Sequence, residues 1–258
     1  MEKMMTHRSR PTTPLADLQI PPGPLAGLLT AARDNLGASA AERGIHIDIS
    51  TDFCELLEVN LRETAAGTWY PMLPASDIRY RRLLPENSFW LRGSSLDGEV
   101  VSVQAAVLED DDGSVGQRLA DLSAFYGDRA GDAPAGEWCS CLSPTALSTT
   151  GRSVFSQGGW TRPDYRGLRL FPLFHRVARL VSWARWEPDV LWGVIQANAV
   201  EAWKESLMGP RHLDDVPTIV YQRAAGRHEL RFLRYTPAQM LGDLAVIANT
   251  PAREVLVA

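Results

Sequence analysis

The residues with the most chemistry in their spacing lie between Gly159 and Trp186: Thr161-Arg162-Pro163-Asp164-Tyr165-Arg166-Gly167, then Leu168-Arg169-Leu170, then a long run from Phe171. Pro163 disfavours helix at Arg162 and donates no ladder hydrogen bond, so the run ahead of it is expected to end as an extended segment near Thr161. From Phe171 onward, Phe171, Phe174, Val177, Ala178, Val181 and Ala184 recur at helical steps, while His175, Arg176, Arg179, Ser182 and Arg185 mark another face. That is the pattern of an amphipathic helix. A strand, a turn and a helix in succession leave the first helical amides pointing into the turn, where they and the helix dipole favour a phosphate. A pyrophosphate is therefore expected against Arg166, Gly167, Leu168, Arg169, Leu170 and Phe171.

The elements that must position this turn belong to a chain of ordinary globular composition. At 258 residues, 45% hydrophobic and 22% charged, it is long enough for one sizeable core. The formal net charge of −5 gives no reason to invoke nucleic acid or an anionic membrane. Met1 to Arg10 carries basic residues but no apolar stretch after them, and no apolar run is long enough to span a bilayer, so the expected location is the cytoplasm.

Residues 1–22, rich in Pro, Thr and charge, read as a mobile or loosely packed arm, and 23–258 as a single domain. Pro24 to Ala41 has helical spacing and looks like an extra N-terminal helix; Gly44 to Ile49 alternates as a half-buried strand. Asp52 to Thr64 returns to helical spacing, with Thr51 or Asp52 as its cap. Ser88 to Arg92 and Glu99 to Leu108 form a hairpin around Asp97-Gly98. The region around 109–136 reads as an insertion, with one helix over Ser114 to Tyr126 and a Gly/Ala/Asp/Pro loop after it. Glu137 to Leu142 and Arg152 to Trp160 are strand candidates whose partners pattern alone does not name. Val190 to Ile195 is a continuous apolar run, consistent with a strand buried on both faces, and a right-handed crossover makes it parallel to, or nearly a neighbour of, the strand before the long helix. A helix opened by Asn198 and running to Leu207, strands over Thr218 to Gln222 and Glu229 to Tyr235, and a helix over Thr236 to Ala248 complete the chain.

Other candidates are sparser. Trp69-Tyr70-Pro71-Met72 is an aromatic loop broken by proline, where an acceptor substrate would be read through Trp69 and Tyr70. Cys54, Cys139 and Cys141 form no disulfide framework, and without a second Cys/His pair at ligand spacing no metal site is expected. Nucleophilic use of Cys139 or Cys141 would need a nearby His and an electropositive setting.

The run Thr161 to Gly167 resembles the acyl-coenzyme A loop of the GNAT acyltransferase superfamily, which has a small apolar residue, any residue, Pro, any residue, often Tyr, then Arg or Gln and Gly. The order of elements over roughly residues 44–235 is similar too. The resemblance implies an α+β fold, a central twisted mixed sheet flanked by helices. It also implies acetyl-CoA or another acyl-CoA as co-substrate, no metal, and acyl transfer to the amine or hydroxyl of a small-molecule acceptor by direct attack on the thioester; a homodimer is compatible with it. By resemblance, Trp160 and Thr161 hold the pantetheine arm through backbone groups, and Asn198 stands where the family brackets its short helix. Two loop positions depart from the family: its glycines are Arg169 and Phe171 here. Glu205 stands where many members carry a leaving-group Tyr. Glu205 and His175 are the candidates for proton handling. The alternative reading is a GNAT-like module with altered or lost chemistry that binds or regulates.

Overall fold

The computed structural model describes residues 12–110, 112–196, 199–200 and 203–254. The strands are β1 (Thr13–Pro14), β2 (Ile45–Ser50), β3 (Ser88–Ser95), β4 (Val100–Glu109), β5 (Trp138–Cys141), β6 (Ser153–Thr161), β7 (Val190–Gln196), β8 (His212–Leu213), β9 (Ile219–Arg223) and β10 (Gly226–Tyr235). The helices are α1 (Ala26–Ala41), α2 (Phe53–Ala65), α3 (Val115–Ala120), α4 (Ser123–Tyr126), α5 (Pro144–Ser148), α6 (Leu170–Trp186), α7 (Glu205–Met208) and α8 (Pro237–Ala248).

All the strands join one sheet in the order β1-β2-β3-β4-β6-β7-β10-β9-β5, with β8 on β10. Its pairings are antiparallel except β6 with β7, which run parallel across the α6 crossover. This is the expected mixed sheet flanked by helices. One face is covered by α6 and, behind it, α1 and α8: Leu173, Phe174, Val177 and Val181 pack with Val101, Val154, Leu191, Leu29 and Leu244. The other face carries two clusters. Phe53, Leu56 and Val59 of α2 lie on Trp90, Val103 and Trp160, and the segment between β4 and β6 lies on Phe155, Trp192, Tyr221 and Phe232.

Local signals explain most boundaries. The Asp52 carboxylate accepts from the amides of Cys54 and Glu55 and caps α2, and capping boxes start α3 (Ser114 with Gln117) and α8 (Thr236 with Gln239). Two expectations need correction. The single helix over Ser114 to Tyr126 is two, because Leu122 takes a left-handed conformation (φ 68°) and turns the chain between α3 and α4. The second half of the expected arm is tied down: β1 pairs with β2, and Leu15 and Leu18 are buried. The polar face of α6 is not solvated, since His175, Arg176, Arg179 and Ser182 are all buried beside its apolar face. α8 covers it, and Asp243 meets Arg179 at 2.5 Å and Arg176 at 3.4 Å.

Candidate functional site

β6 and β7 pair at three positions, Ser153 with Val190, Val154 with Leu191 and Phe155 with Trp192, and then part company. Beyond that point Ser156 to Thr161 follow β4, while Gly193 to Gln196 follow β10. The carboxyl ends of two parallel strands thus open into a wedge, with the turn that leads into α6 at its mouth. In sheets with parallel strands such crevices are where ligands bind.

β6 is bulged there. Its register with β4 shifts between Val103 and Ala105, and Gly158 lies at φ 68°, a conformation glycine adopts without penalty. Opposite the bulge sits Gln104, fully buried. Its amide nitrogen donates to the Gln157 carbonyl at 2.8 Å, to Ser156 Oγ at 3.0 Å and to the Ala105 carbonyl at 3.3 Å. Those donations fix which end of the side chain is nitrogen. They leave Gln104 Oε1 buried and unpartnered among the described residues, as are both amide atoms of Gln157 and Nε2 of His175. Each such orphan costs about 1–3 kcal/mol, and two of them, Gln104 Oε1 and His175 Nε2, lie beside Gly159.

The sequence candidates distribute as follows. Arg169 is the residue ahead of α6 and lies at φ 55°, ψ 33°, the left-handed region. The arginine has therefore kept the backbone conformation that a glycine would take. Two amides of the first helical turn, those of Leu170 and Phe171, have no intrahelical acceptor; Pro172, next along, supplies none. Arg43, from just beyond α1, donates to the Leu168 carbonyl at 3.0 Å and so pins the turn from outside. Arg162 is committed to Asp164 through two bonds of 2.8 and 2.9 Å. The exposed Arg166 reaches only long contacts, 3.4 Å to the Thr161 carbonyl and 3.5 Å to that of Thr68.

Trp160 joins this turn to the aromatic loop. Its ring stacks on Trp69 with centroids 5.2 Å apart, and its indole N–H donates to the Thr68 carbonyl at 3.0 Å. Asn60 of α2 holds the loop by donating to the Tyr70 carbonyl at 2.8 Å and accepting from the Met72 amide. Tyr70 itself points outward, 70% exposed. Trp69, Trp160 and Thr161 thus come together, and Tyr70 stands at their rim.

His175 lies one turn into α6, 4% exposed. Burial, and then the neighbouring Arg179 charge, hold its pKa well below the usual 6.5, so the ring is neutral. It packs edge-on against Phe171 (4.5 Å) and Trp203 (4.4 Å). Asn198 lies outside the described residues. Glu205 opens α7, and its side chain also lies outside them. Cys139 and Cys141 are buried free thiols; desolvation pushes Cys139 up to about 12 and raises Cys141, which disfavours thiolate chemistry. Among the described residues no group of three potential metal ligands occurs, and no helix is long and apolar enough to cross a membrane.

No protein-family model and no curated protein matches the chain. Among solved structures it is similar to AAC(6')-Ib in complex with ribostamycin and coenzyme A, at 11% identity and a TM-score of 0.40 over 75% of this chain and 93% of that one. It is also similar to the spermidine/spermine N-acetyltransferase of Vibrio cholerae, at 8% identity and a TM-score of 0.37 over 83% of this chain and 92% of that one. With scores this low, the functional reading rests on the chain's own strand order, bulge and turn.

Sequence reasoning did not single out Gln104 or Arg43. Gln104 had a signal, as the long polar side chain within the apolar run from Val100 to Leu108. Arg43 had none, because only the folded chain brings the end of α1 to the turn.

Proposed function

We propose that this protein transfers an acyl group from acyl-coenzyme A, acetyl-CoA in the simplest case, to the amine or hydroxyl of a small molecule. The observation that carries the reading is the wedge between β6 and β7, bulged at Gly158 and bordered by a left-handed turn into α6. A thioester co-substrate supplies an activated carbonyl, which the acceptor attacks directly while the thiolate leaves; the acceptor's proton must pass to a base and the thiolate must gain one. No covalent protein nucleophile is required. The residues fit such a co-substrate in two respects. The turn combines two helix-start amides with Arg166, Arg169 and the nearby Arg43 for a pyrophosphate, and the wedge holds unpartnered polar atoms for an amide-bearing arm. Trp69 and Tyr70 would face the acceptor. Glu205 from α7 would handle protons, with Gln157 positioning a water between it and the acceptor; a buried neutral His175 is better suited to hydrogen bonding than to taking a proton.

The test is a melting-temperature titration with acetyl-CoA. A ligand that binds only the native state at a hundredfold excess over its dissociation constant adds about 2.7 kcal/mol, roughly 5–10 °C for a domain of this size. The absence of any saturable rise at millimolar ligand would overturn the proposal.

One observation favours the alternative reading, a module that binds without transfer. The Phe171 ring comes within 3.1 Å of where a Cβ on Gly159 would lie, and so covers β6 where the wedge opens. Release of free thiol from acetyl-CoA in the presence of a panel of amines separates the two: saturable binding with no thiol above background supports the module.

A further inference from the structure

Three groups converge on one point above Gly159. A Cβ built there would lie 2.7 Å from Gln104 Oε1, 3.5 Å from His175 Nε2 and 3.1 Å from Phe171 Cε2. Both polar atoms are buried and unpartnered among the described residues. A side chain at this position would displace the Gln104 oxygen or the phenyl ring. The point above Gly159 is therefore polar and covered by an aromatic edge.

We propose that Gln104 and His175 form a recognition point for an amide-bearing arm at the β6/β7 wedge, and that Phe171 is a gate lying over it. The inference rests on the acyl-CoA reading, since the pantetheine arm is the amide-bearing ligand that the wedge would take. Gln104 is held by the bonds from its nitrogen to Gln157 and Ser156, so its oxygen is fixed in place to accept an amide N–H. His175, neutral because burial keeps it so, offers Nε2–H to the amide carbonyl in one tautomer. An amide-bearing arm thus brings both an N–H for the Gln104 oxygen and a carbonyl for the His175 N–H.

The gate is built to move. Phe174, one turn on, is 1% exposed and locked in the core, whereas Phe171 is half-buried and touches His175 and Trp203 only by ring edges, at 4.5 and 5.3 Å. Closed, it keeps apolar carbon against two polar atoms that have no partner. Displaced, it exposes them to a ligand that pairs both. The closed arrangement thus lowers affinity for the arm without touching the turn that would hold the phosphates.

Calorimetric titration of the full chain with coenzyme A, and separately with adenosine 3',5'-bisphosphate, which lacks the arm, tests this. Phe171→Ala is expected to tighten coenzyme A binding at least tenfold and to leave the bisphosphate unchanged. Adding Gln104→Leu or His175→Phe to Phe171→Ala is expected to remove that gain, again without effect on the bisphosphate. His175→Phe keeps an aromatic ring against Trp203 and serves if Gln104→Leu does not fold. Equal coenzyme A affinity in wild type and Phe171→Ala, or a gain insensitive to both second substitutions, overturns the gate while the acyl-CoA reading stands. If neither ligand binds any folded variant, both fall together.

Discussion

Arg169 shows how a residue that departs from an expected pattern can preserve its geometry. A glycine at this turn would be free to take positive φ; an arginine takes it at a cost of about 1–2 kcal/mol, partly offset because glycine loses more entropy on folding. Arg169→Gly is therefore expected to stabilise the protein by about 0.5–1 kcal/mol, a rise of about 1–4 °C in melting temperature. Arg169→Ala removes the charge but keeps the strained backbone, so it should show no such gain. A melting scan that finds both variants alike would mean that charge, not backbone conformation, governs this position. The identity of Arg169 could be read from the sequence, and so could its position in the turn. Its left-handed backbone could not, because nothing local in Gly-Leu-Arg-Leu-Phe separates that conformation from an ordinary one. Gln104 is similar: its type was visible, but the bulge that aims it at Gly159 comes from pairing between β4 and β6, far apart in the chain.

At the scale of elements, α6 carries most of the design. Helical periodicity located it to within a residue at its start, and the crossover rule placed β7 parallel to or near β6; the pairing shows it to be both. What periodicity does not report is whether a polar stripe faces water or another helix. Here it faces α8, and Arg176 and Arg179 share the single carboxylate of Asp243, with the Arg179 guanidinium also 4.5 Å over the Tyr235 ring. Removing the shared anion leaves two cations buried. Asp243→Ala is expected to cost about 3–5 kcal/mol, read as a lowered midpoint in denaturant unfolding with little change in slope. A loss under 1 kcal/mol would show that water reaches the pair and that α8 is held by Met240, Leu244 and Ile247 alone. The same blindness of local pattern explains the split between α3 and α4: the apolar positions from Val115 to Phe125 fit one helix, and only packing turns the chain at Leu122.

For the whole molecule, burial of His175 links the site to the stability of the fold. The folded-state pKa of His175 lies well below 6.5, through desolvation and then Arg179, and that of His228 is lowered through desolvation and then Arg223. An unfolded chain titrates both near 6.5. Below that pH the unfolded state therefore binds more protons than the folded one, and stability must fall as pH drops, continuing until the folded-state values are passed. Each histidine contributes a slope of at most about 1.4 kcal/mol per pH unit. Asp214 is lowered from 3.8, so its stabilising share is lost only at more acid pH, and Glu55 is raised, which works in the opposite direction. Denaturant unfolding at pH 7.5, 6 and 5 is thus expected to show a steady loss, and His175→Phe to remove the larger part of its slope. The slope is the useful quantity, because any packing defect from the added ring shifts all three measurements alike. A slope unchanged by His175→Phe would place a protonated imidazole in the folded protein, and a charged ring beneath Phe171 is incompatible with a dry, gated wedge.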